Sequence, residues 1–143
     1  MIYLDASYIV KCYLREAGSA EVLALVQEKP GRHCALHGRA EFCSAVHRRV
    51  SEKHLSVSAA AAVWNQFEQD ERSGLWHWLA LSETVVRCAC DTFKTLEARV
   101  FLRASDALHL ACAAENQFSK VYSNDRILLA AAPHFGLEGV KVY

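Results

Sequence analysis

Four acidic residues stand at positions where a carboxylate can serve a chemical site, although they are far apart in the chain: Asp5, Glu41, Asp106 and Asp125. Asp5 follows one apolar run and precedes another that a helix can bury, so it marks the point where a strand ends and a helix begins. Asp125 also follows a short predicted strand, whereas Glu41 and Asp106 fall in the first turns of predicted helices. Ligands of open α/β sheets bind at the carboxyl ends of the strands. Acids that converge there would form a charged site.

Carboxylates that converge repel one another and need a cation. Oxygen ligands suit a hard ion, so these acids favour magnesium or manganese over zinc. Such an ion suits phosphoryl chemistry, because it activates a water molecule and stabilises charge on the attacked phosphate. Each acid also has an ordinary explanation. An acid in the first turn stabilises a helix by about 0.3–1 kcal/mol, and Asn124-Asp125 is common turn chemistry.

The elements that would position these acids alternate between strands and helices. The predicted strands are residues 1–4, 34–36, 75–79, 120–123 and 140–142. The predicted helices are 8–14, 19–27 with Ser19 as cap, 38–53, one capped by Ser56 or Ser58, one from Ser82 to about 97, one capped by Ser105, and 126–132. Strands that alternate with helices through short turns predict an α/β fold with a parallel sheet. No repeat or linker divides the chain, so one domain over residues 1–143 is expected.

The composition is that of a folded domain. Of 143 residues, 52% are hydrophobic and 22% are charged, which argues against disorder. Sixteen basic residues balance sixteen acidic ones, so any grip on nucleic acid must come from local charges such as Lys11, Arg39, Arg103 and Arg126. No apolar run reaches the roughly 18–20 residues of a membrane span, and no basic region precedes the first apolar run. A soluble cytoplasmic protein without membrane contact is expected.

Six cysteines raise the question of disulfides or zinc. Four of them are predicted to lie on apolar helix faces, where a thiol behaves as a small hydrophobe: Cys12, Cys43, Cys88 and Cys112. Without a secretory signal, reduced thiols are expected. A structural zinc site is an alternative, because His33, Cys34, His37, Cys43 and His47 are close in sequence. The absence of a Cys-x-x-Cys pair weighs against it.

Several segments, in order along nearly the whole chain, resemble the PIN domain. They are Tyr3-Leu4-Asp5-Ala6-Ser7 with Val10-Lys11, Ala40-Glu41, Arg103-Ala104-Ser105-Asp106-Ala107-Leu108-His109-Leu110-Ala111, and Ser123-Asn124-Asp125 followed by Gly136-Leu137. They are most similar to the VapC-type toxins of type II toxin–antitoxin systems. This resemblance implies a three-layer α/β/α sandwich with a central, mainly parallel sheet, and endoribonuclease activity at an acidic pocket that binds Mg²⁺ or Mn²⁺.

The resemblance also implies roles for particular residues. Asp5, Glu41, Asp106 and Asp125 become the acids of the metal site. Asp5 and Asp106 are the expected direct ligands, and Asp125 would act directly or through water. Ser7 matches a small hydroxyl residue that supports the site. Arg103, one turn from Asp106, would steady a phosphate or would simply be a surface arginine.

The partners implied are an RNA substrate, a second copy of the chain in a homodimer, and a small antitoxin that inserts into the pocket. The apolar stripe of the predicted helix after Ser56, with Trp64, is either a docking surface or part of the core. Two alternatives within the family are an RNA-processing nuclease without an antitoxin and an inactive binding module. A third, an aspartyl-phosphate hydrolase, would need an acid where Ser7 stands.

Overall fold

The computed structural model describes residues 1–143. The elements along the chain are β1 (Ile2–Tyr3), α1 (Ala6–Tyr13), α2 (Ser19–Glu28), β2 (Arg32–Ala35), α3 (Gly38–Ser51), α4 (Val57–Arg72), β3 (Trp76–Leu79), α5 (Glu83–Thr95), α6 (Ala104–Glu115), β4 (Lys120–Tyr122), α7 (Arg126–Ala131) and β5 (Glu138–Val140). A 3₁₀ turn, Ala132–Phe135, separates α7 from β5. The predicted alternation of strands and helices is confirmed.

All strand pairs are parallel. Strand β2 pairs with β1 on one side and with β3 on the other, and β4 pairs with β5. A parallel bridge between Leu4 and Tyr122 joins the two groups, and the Asp5 amide donates to the Tyr122 carbonyl at 3.1 Å. The spatial order is therefore 3-2-1-4-5, and the chain leaves the middle of the sheet at Asp5.

The two faces of the sheet are covered by different helices. Ile2, Leu4 and Trp76 point to one face and pack with α1, α2, α3 and α4. Tyr3 and Val121 point to the opposite face and pack with α5, α6 and α7. Successive strand residues alternate between faces, so two-residue β1 supplies both cores. The three-layer α/β/α sandwich with a parallel sheet is confirmed.

Two predicted helix caps and the predicted position of the last strand are wrong. Ser19 does not cap α2: its hydroxyl donates to the Leu14 carbonyl at 3.1 Å and so closes the preceding loop. Ser105 does not cap α6, because the helix already begins at Ala104. The last strand lies at Glu138–Val140 rather than 140–142, because its pairing with β4 places Glu138 opposite Lys120. Ser56 and Ser82, by contrast, are confirmed as caps of α4 and α5.

The cysteines are all free, and no helix combines the length and the apolar character that a bilayer span requires. Cys43, however, is exposed, so its predicted place on an apolar face is wrong. The buried face of α3 consists of Gly38, Phe42 and Val46, which recur every four residues. Cys43 lies one residue beyond that face and points to solvent.

The apolar stripe of α4 belongs to the core. Ala60 and Phe67 are buried, and Val63 and Trp64 are half-buried against the same cluster. The Phe67 ring stacks on Phe42 of α3 with the ring centroids 4.0 Å apart. These contacts hold α4 against α3, the helix that carries Glu41.

Candidate functional site

The four predicted acids line one cleft of about 580 Å³. Asp5 follows β1 and Asp125 follows β4, so both lie at the carboxyl edge of the parallel sheet. Glu41 and Asp106 reach the cleft from the first turns of α3 and α6. The structure therefore places all four side chains in one cavity. The other polar residues around it are Ser7, Ser44, Arg48, Arg103, Ser105 and His109.

Asp5 is buried and is held by neutral donors. One carboxylate oxygen accepts the Ser7 hydroxyl at 2.6 Å and the Tyr8 amide at 3.2 Å, which also caps α1. The other oxygen accepts the Ser123 hydroxyl at 2.6 Å. Burial raises the pKa of Asp5 above its ordinary value, although these hydrogen bonds oppose the shift. The Ser7 hydroxyl thus helps to fix the orientation of the Asp5 carboxylate.

Arg103 bridges two of the other acids. Its Nε donates to Asp106 at 2.7 Å, and a terminal nitrogen donates to Asp125. Burial raises the pKa of Asp106 despite this ion pair. Burial acts in the same sense on Asp125, but there the Ile127 amide and Arg103 outweigh it and lower the pKa. Arg103 therefore supplies positive charge where two carboxylates face each other.

Glu41 lies in a different hydrogen-bond network. The Ser105 hydroxyl donates to one of its oxygens, and the Nε2 of His109 lies 2.7 Å from the other. Burial alone would raise the pKa of Glu41. This effect is outweighed by the hydrogen bond and electrostatic attraction of His109, and by the hydrogen bond from Ser105. The pKa falls to about 2. Glu41 is therefore ionised throughout the neutral pH range.

The chemistry of the donor set fits a hard divalent cation. All four acids offer carboxylate oxygens, the ligands that magnesium and manganese prefer. Asp5 is only 5% exposed, and the donors that reach its side chain are two hydroxyls and one amide. A buried carboxylate without a cationic partner carries a desolvation cost that a bound cation would offset.

Other basic residues singled out in the sequence differ in their availability. Lys11 is buried and donates to Glu16 at 2.7 Å and to the Ala17 carbonyl at 2.8 Å, so it cannot serve as a local charge for RNA. Arg39 is paired with Glu71 at 2.8 Å. Arg48 lines the cleft. The positive charge at the cleft comes from Arg48 and Arg103.

Sequence reasoning missed two polar neighbours of Glu41. His109 lies three residues after Asp106 and so shares its helix face, a spacing that could have marked it. Ser105 has the residue type and position of a helix cap, and no local pattern indicates that its hydroxyl donates to Glu41 instead. Gly38 also has a function at this site: a Cβ there would lie 2.5 Å from the Cys34 sulfur, so only glycine lets α3 start this close to β2.

The Glu41 network makes a prediction about acid stability. The pKa of Glu41 lies at about 2, below its ordinary value of 4.5. Ionised Glu41 therefore stabilises the fold fully above pH 4.5, and this stabilisation is lost as the pH falls from 4.5 towards 2. We expect Glu41→Gln to be less stable than the wild type at neutral pH and the difference to shrink over this range. Thermal melts in chelator at a series of pH values measure it, with exposed Glu97→Gln as the matched control. A constant difference across the range would contradict the prediction.

Comparison with known proteins identifies the family. The PIN domain model matches residues 2–133, and the chain belongs to the PIN domain family. No curated protein sequence matches the chain.

Similar folds occur in solved toxins and complexes. A Mycobacterium tuberculosis structure, VapC20, described as a sarcin-ricin loop cleaving toxin, is 17% identical, with a TM-score of 0.71 over 92% of this chain and 95% of its own. FitAcB from Neisseria gonorrhoeae is 17% identical, with a TM-score of 0.76 over 97% of this chain and 96% of its own. A chain of a toxin–antitoxin complex from Klebsiella pneumoniae is 12% identical, with a TM-score of 0.67 over 100% of this chain and 98% of its own. At these identities the likeness concerns the fold.

Proposed function

We propose that this chain is a metal-dependent endoribonuclease, the toxin of a toxin–antitoxin pair, that hydrolyses RNA phosphodiester bonds with Mg²⁺ or Mn²⁺. The observation that carries the proposal is the meeting of Asp5, Glu41, Asp106 and Asp125 in one cleft. These acids come from both halves of the chain, and ordinary helix-end stabilisation would not require them to share a cavity. Membership of the PIN domain family supports the same reading.

In this proposal each acid has a role. Asp5 and Asp106 would hold the cation directly, and Glu41 and Asp125 would contact it directly or through water. A cation bound there would supply an activated water and would stabilise charge on the attacked phosphate. Ser7 and Ser123 fix the orientation of the Asp5 carboxylate through two 2.6 Å hydrogen bonds.

Glu41 and Arg103 act through charge. A carboxylate with a pKa of about 2 is a weak base at neutral pH, so Glu41 contributes charge rather than proton transfer. The Arg103 side chain is 49% exposed at the cleft. A guanidinium in that position suits a phosphate oxygen, and in this proposal Arg103 moves from Asp125 to the RNA backbone.

The toxin assignment rests on the solved proteins of similar fold. One is described as a toxin that cleaves the sarcin-ricin loop and another as a toxin–antitoxin complex. By analogy we infer a small antitoxin as partner, a homodimer, and action on RNA in the cytoplasm. A formal charge of zero agrees with an RNA grip confined to the cleft.

The direct test is RNA cleavage by the purified protein. We expect internal cuts with Mg²⁺ or Mn²⁺, complete loss of cleavage in excess chelator, and recovery when either ion is restored, because four carboxylates without a cation repel the RNA phosphate. Mapping of the RNA ends distinguishes internal cuts from trimming. Cleavage that continues in chelator would contradict the metal requirement.

The toxin role needs a separate test in cells. We expect expression of the chain alone to stop growth and co-expression with a small protein encoded beside it to restore growth. An active nuclease that leaves growth unchanged would instead be an RNA-processing enzyme without an antitoxin.

A further inference from the structure

A second group of possible metal ligands adjoins the acidic cleft. His37, Glu41 and His109 offer donor atoms that all lie within 4.8 Å of one another, and no other group of three or more His, Cys, Asp or Glu side chains in the chain does so. His37 precedes α3, Glu41 follows one turn later, and His109 comes from α6. The two imidazole rings are 4.2 Å apart between centroids.

The distances between these donor atoms are close to the distances between the ligand atoms of a bound transition metal. The Nε2 of His109 is 2.7 Å from one Glu41 oxygen, and the Nε2 of His37 is 4.0 Å from the other. Ligands about 2.0–2.1 Å from a tetrahedral zinc ion lie about 3.3 Å from each other. One donor atom from each residue lies within 4.8 Å of the other two, so no pair needs its separation to change by more than about 1.5 Å to reach that value.

The donor types select the ion. Two imidazoles with one carboxylate form a set that zinc accepts, with water completing the tetrahedron. Magnesium prefers an all-oxygen site and keeps much of its water. The acidic cleft and this His37–Glu41–His109 cluster thus favour different ions, although they share Glu41.

The surroundings suit a metal ligand. The Tyr3 hydroxyl lies 3.1 Å from Nδ1 of His109 and also accepts the Ala35 amide at 3.1 Å. A hydroxyl can donate or accept, so Tyr3 supports the ring whichever nitrogen carries the proton, as the outer partners of metal-bound histidines do. His37 is weakly held: its Nδ1 is buried without a partner, and its Nε2 is 3.3 Å from the Ser105 carbonyl. Metal binding by the His37 ring would therefore cost only this one long hydrogen bond to Ser105.

We propose that His37, Glu41 and His109 form a binding site for Zn²⁺, and that zinc bound there occupies the Glu41 carboxylate, makes it unavailable to a cation in the acidic cleft, and so inhibits the nuclease. The binding part is independent of the proposed function. The inhibition part rests on it, because Glu41 is needed in the cleft only if the cleft holds the catalytic ion.

The binding part is tested on the metal-free protein by calorimetry with Zn²⁺ in excess Mg²⁺, and by visible absorption with Co²⁺ as a probe. We expect one Zn²⁺ per chain and Co²⁺ bands typical of nitrogen and oxygen ligands. His37→Ala and His109→Gln should each weaken zinc binding at least about tenfold, the lower range for loss of a group that supports a metal. His47→Ala, which removes an exposed histidine from α3, is the matched control.

Several results would overturn the site. Wild-type affinity in both His37→Ala and His109→Gln would show that zinc binds elsewhere, and a strong thiolate-to-cobalt absorption band would assign the ion to cysteine. Because His109 is 2% exposed, its variant is first checked for folding by thermal melting. His37 is only half-buried, so its variant decides the question if His109→Gln unfolds.

The inhibition part is tested by RNA cleavage at fixed Mg²⁺ with increasing Zn²⁺, each protein being compared with its own zinc-free rate. We expect His37→Ala to need at least about ten times more zinc for half-inhibition, in step with its weaker binding. Equal inhibition of both proteins would refute the regulatory claim and leave the binding result intact. If no protein cleaves RNA, the proposed function and the inhibition fail together, while the calorimetry still decides the zinc site.

Discussion

Asp5→Asn is expected to abolish RNA cleavage without unfolding the protein. The substitution removes the negative charge from the most enclosed acid of the cleft, which is 5% exposed. We expect the rate to fall by at least about a hundredfold, the scale on which loss of one group that stabilises charge in the transition state lowers a rate. Initial rates at saturating Mg²⁺ measure the effect.

The fold should survive because asparagine can keep the hydrogen bonds of Asp5. Asparagine caps helices about as well as aspartate, so its carbonyl can accept the Tyr8 amide and the Ser7 hydroxyl. Its amide then faces Ser123, whose oxygen already accepts the Asp125 amide at 2.9 Å but has a second lone pair. We expect the free energy of unfolding to change by about 1 kcal/mol.

Asp91→Asn is the matched control for Asp5→Asn. Asp91 lies on α5 away from the cleft, is 58% exposed, and pairs with Lys94 at 2.7 Å. The Asp91→Asn substitution makes the same chemical change at the surface, so this variant should cleave RNA at the wild-type rate. An Asp5→Asn protein that melts normally and cleaves within a few-fold of the wild type would refute the role of Asp5.

Phe42→Ala is expected to cause a large loss of stability. The Phe42 ring is fully buried, stacks on Phe67 at 4.0 Å between centroids, and meets the Tyr13 ring edge-on at 5.2 Å. Removing it leaves a cavity where α1, α3 and α4 meet. Truncation of a buried phenylalanine costs about 3–5 kcal/mol of unfolding free energy, which is a large share of the roughly 5–15 kcal/mol of a typical domain.

Denaturant unfolding measures this loss, and Phe101→Ala supplies the control. Phe101 is 67% exposed, so the same truncation there should change the free energy of unfolding by no more than about 0.5 kcal/mol. Equal losses in the two variants would show that the contacts around Phe42 do not stabilise the fold. Because Phe42 follows Glu41 directly, its loss should also loosen the start of α3 and weaken metal binding.

Local patterns in the sequence were sufficient to predict the class of fold. Apolar runs bounded by turn residues marked the strands, and apolar residues at helical spacing, such as the stripe after Ser56 that includes Trp64, marked the helices. Both patterns depend on neighbours a few residues apart, so the order of elements follows from them. Element ends were less certain, as Ser19 and Ser105 show, because a hydroxyl near a helix end can bond to the loop or to another helix instead.

The sequence also identified which acids to consider, because Asp5 and Asp125 end strands while Glu41 and Asp106 begin helices. Only the tertiary structure placed them in one cleft, since that depends on the strand order 3-2-1-4-5 and on helices packing against both faces of the sheet. The partners of the acids were decided there too. Arg103 reaches Asp125 and His109 reaches Glu41 across long stretches of chain, and such contacts arise from packing that no local spacing encodes.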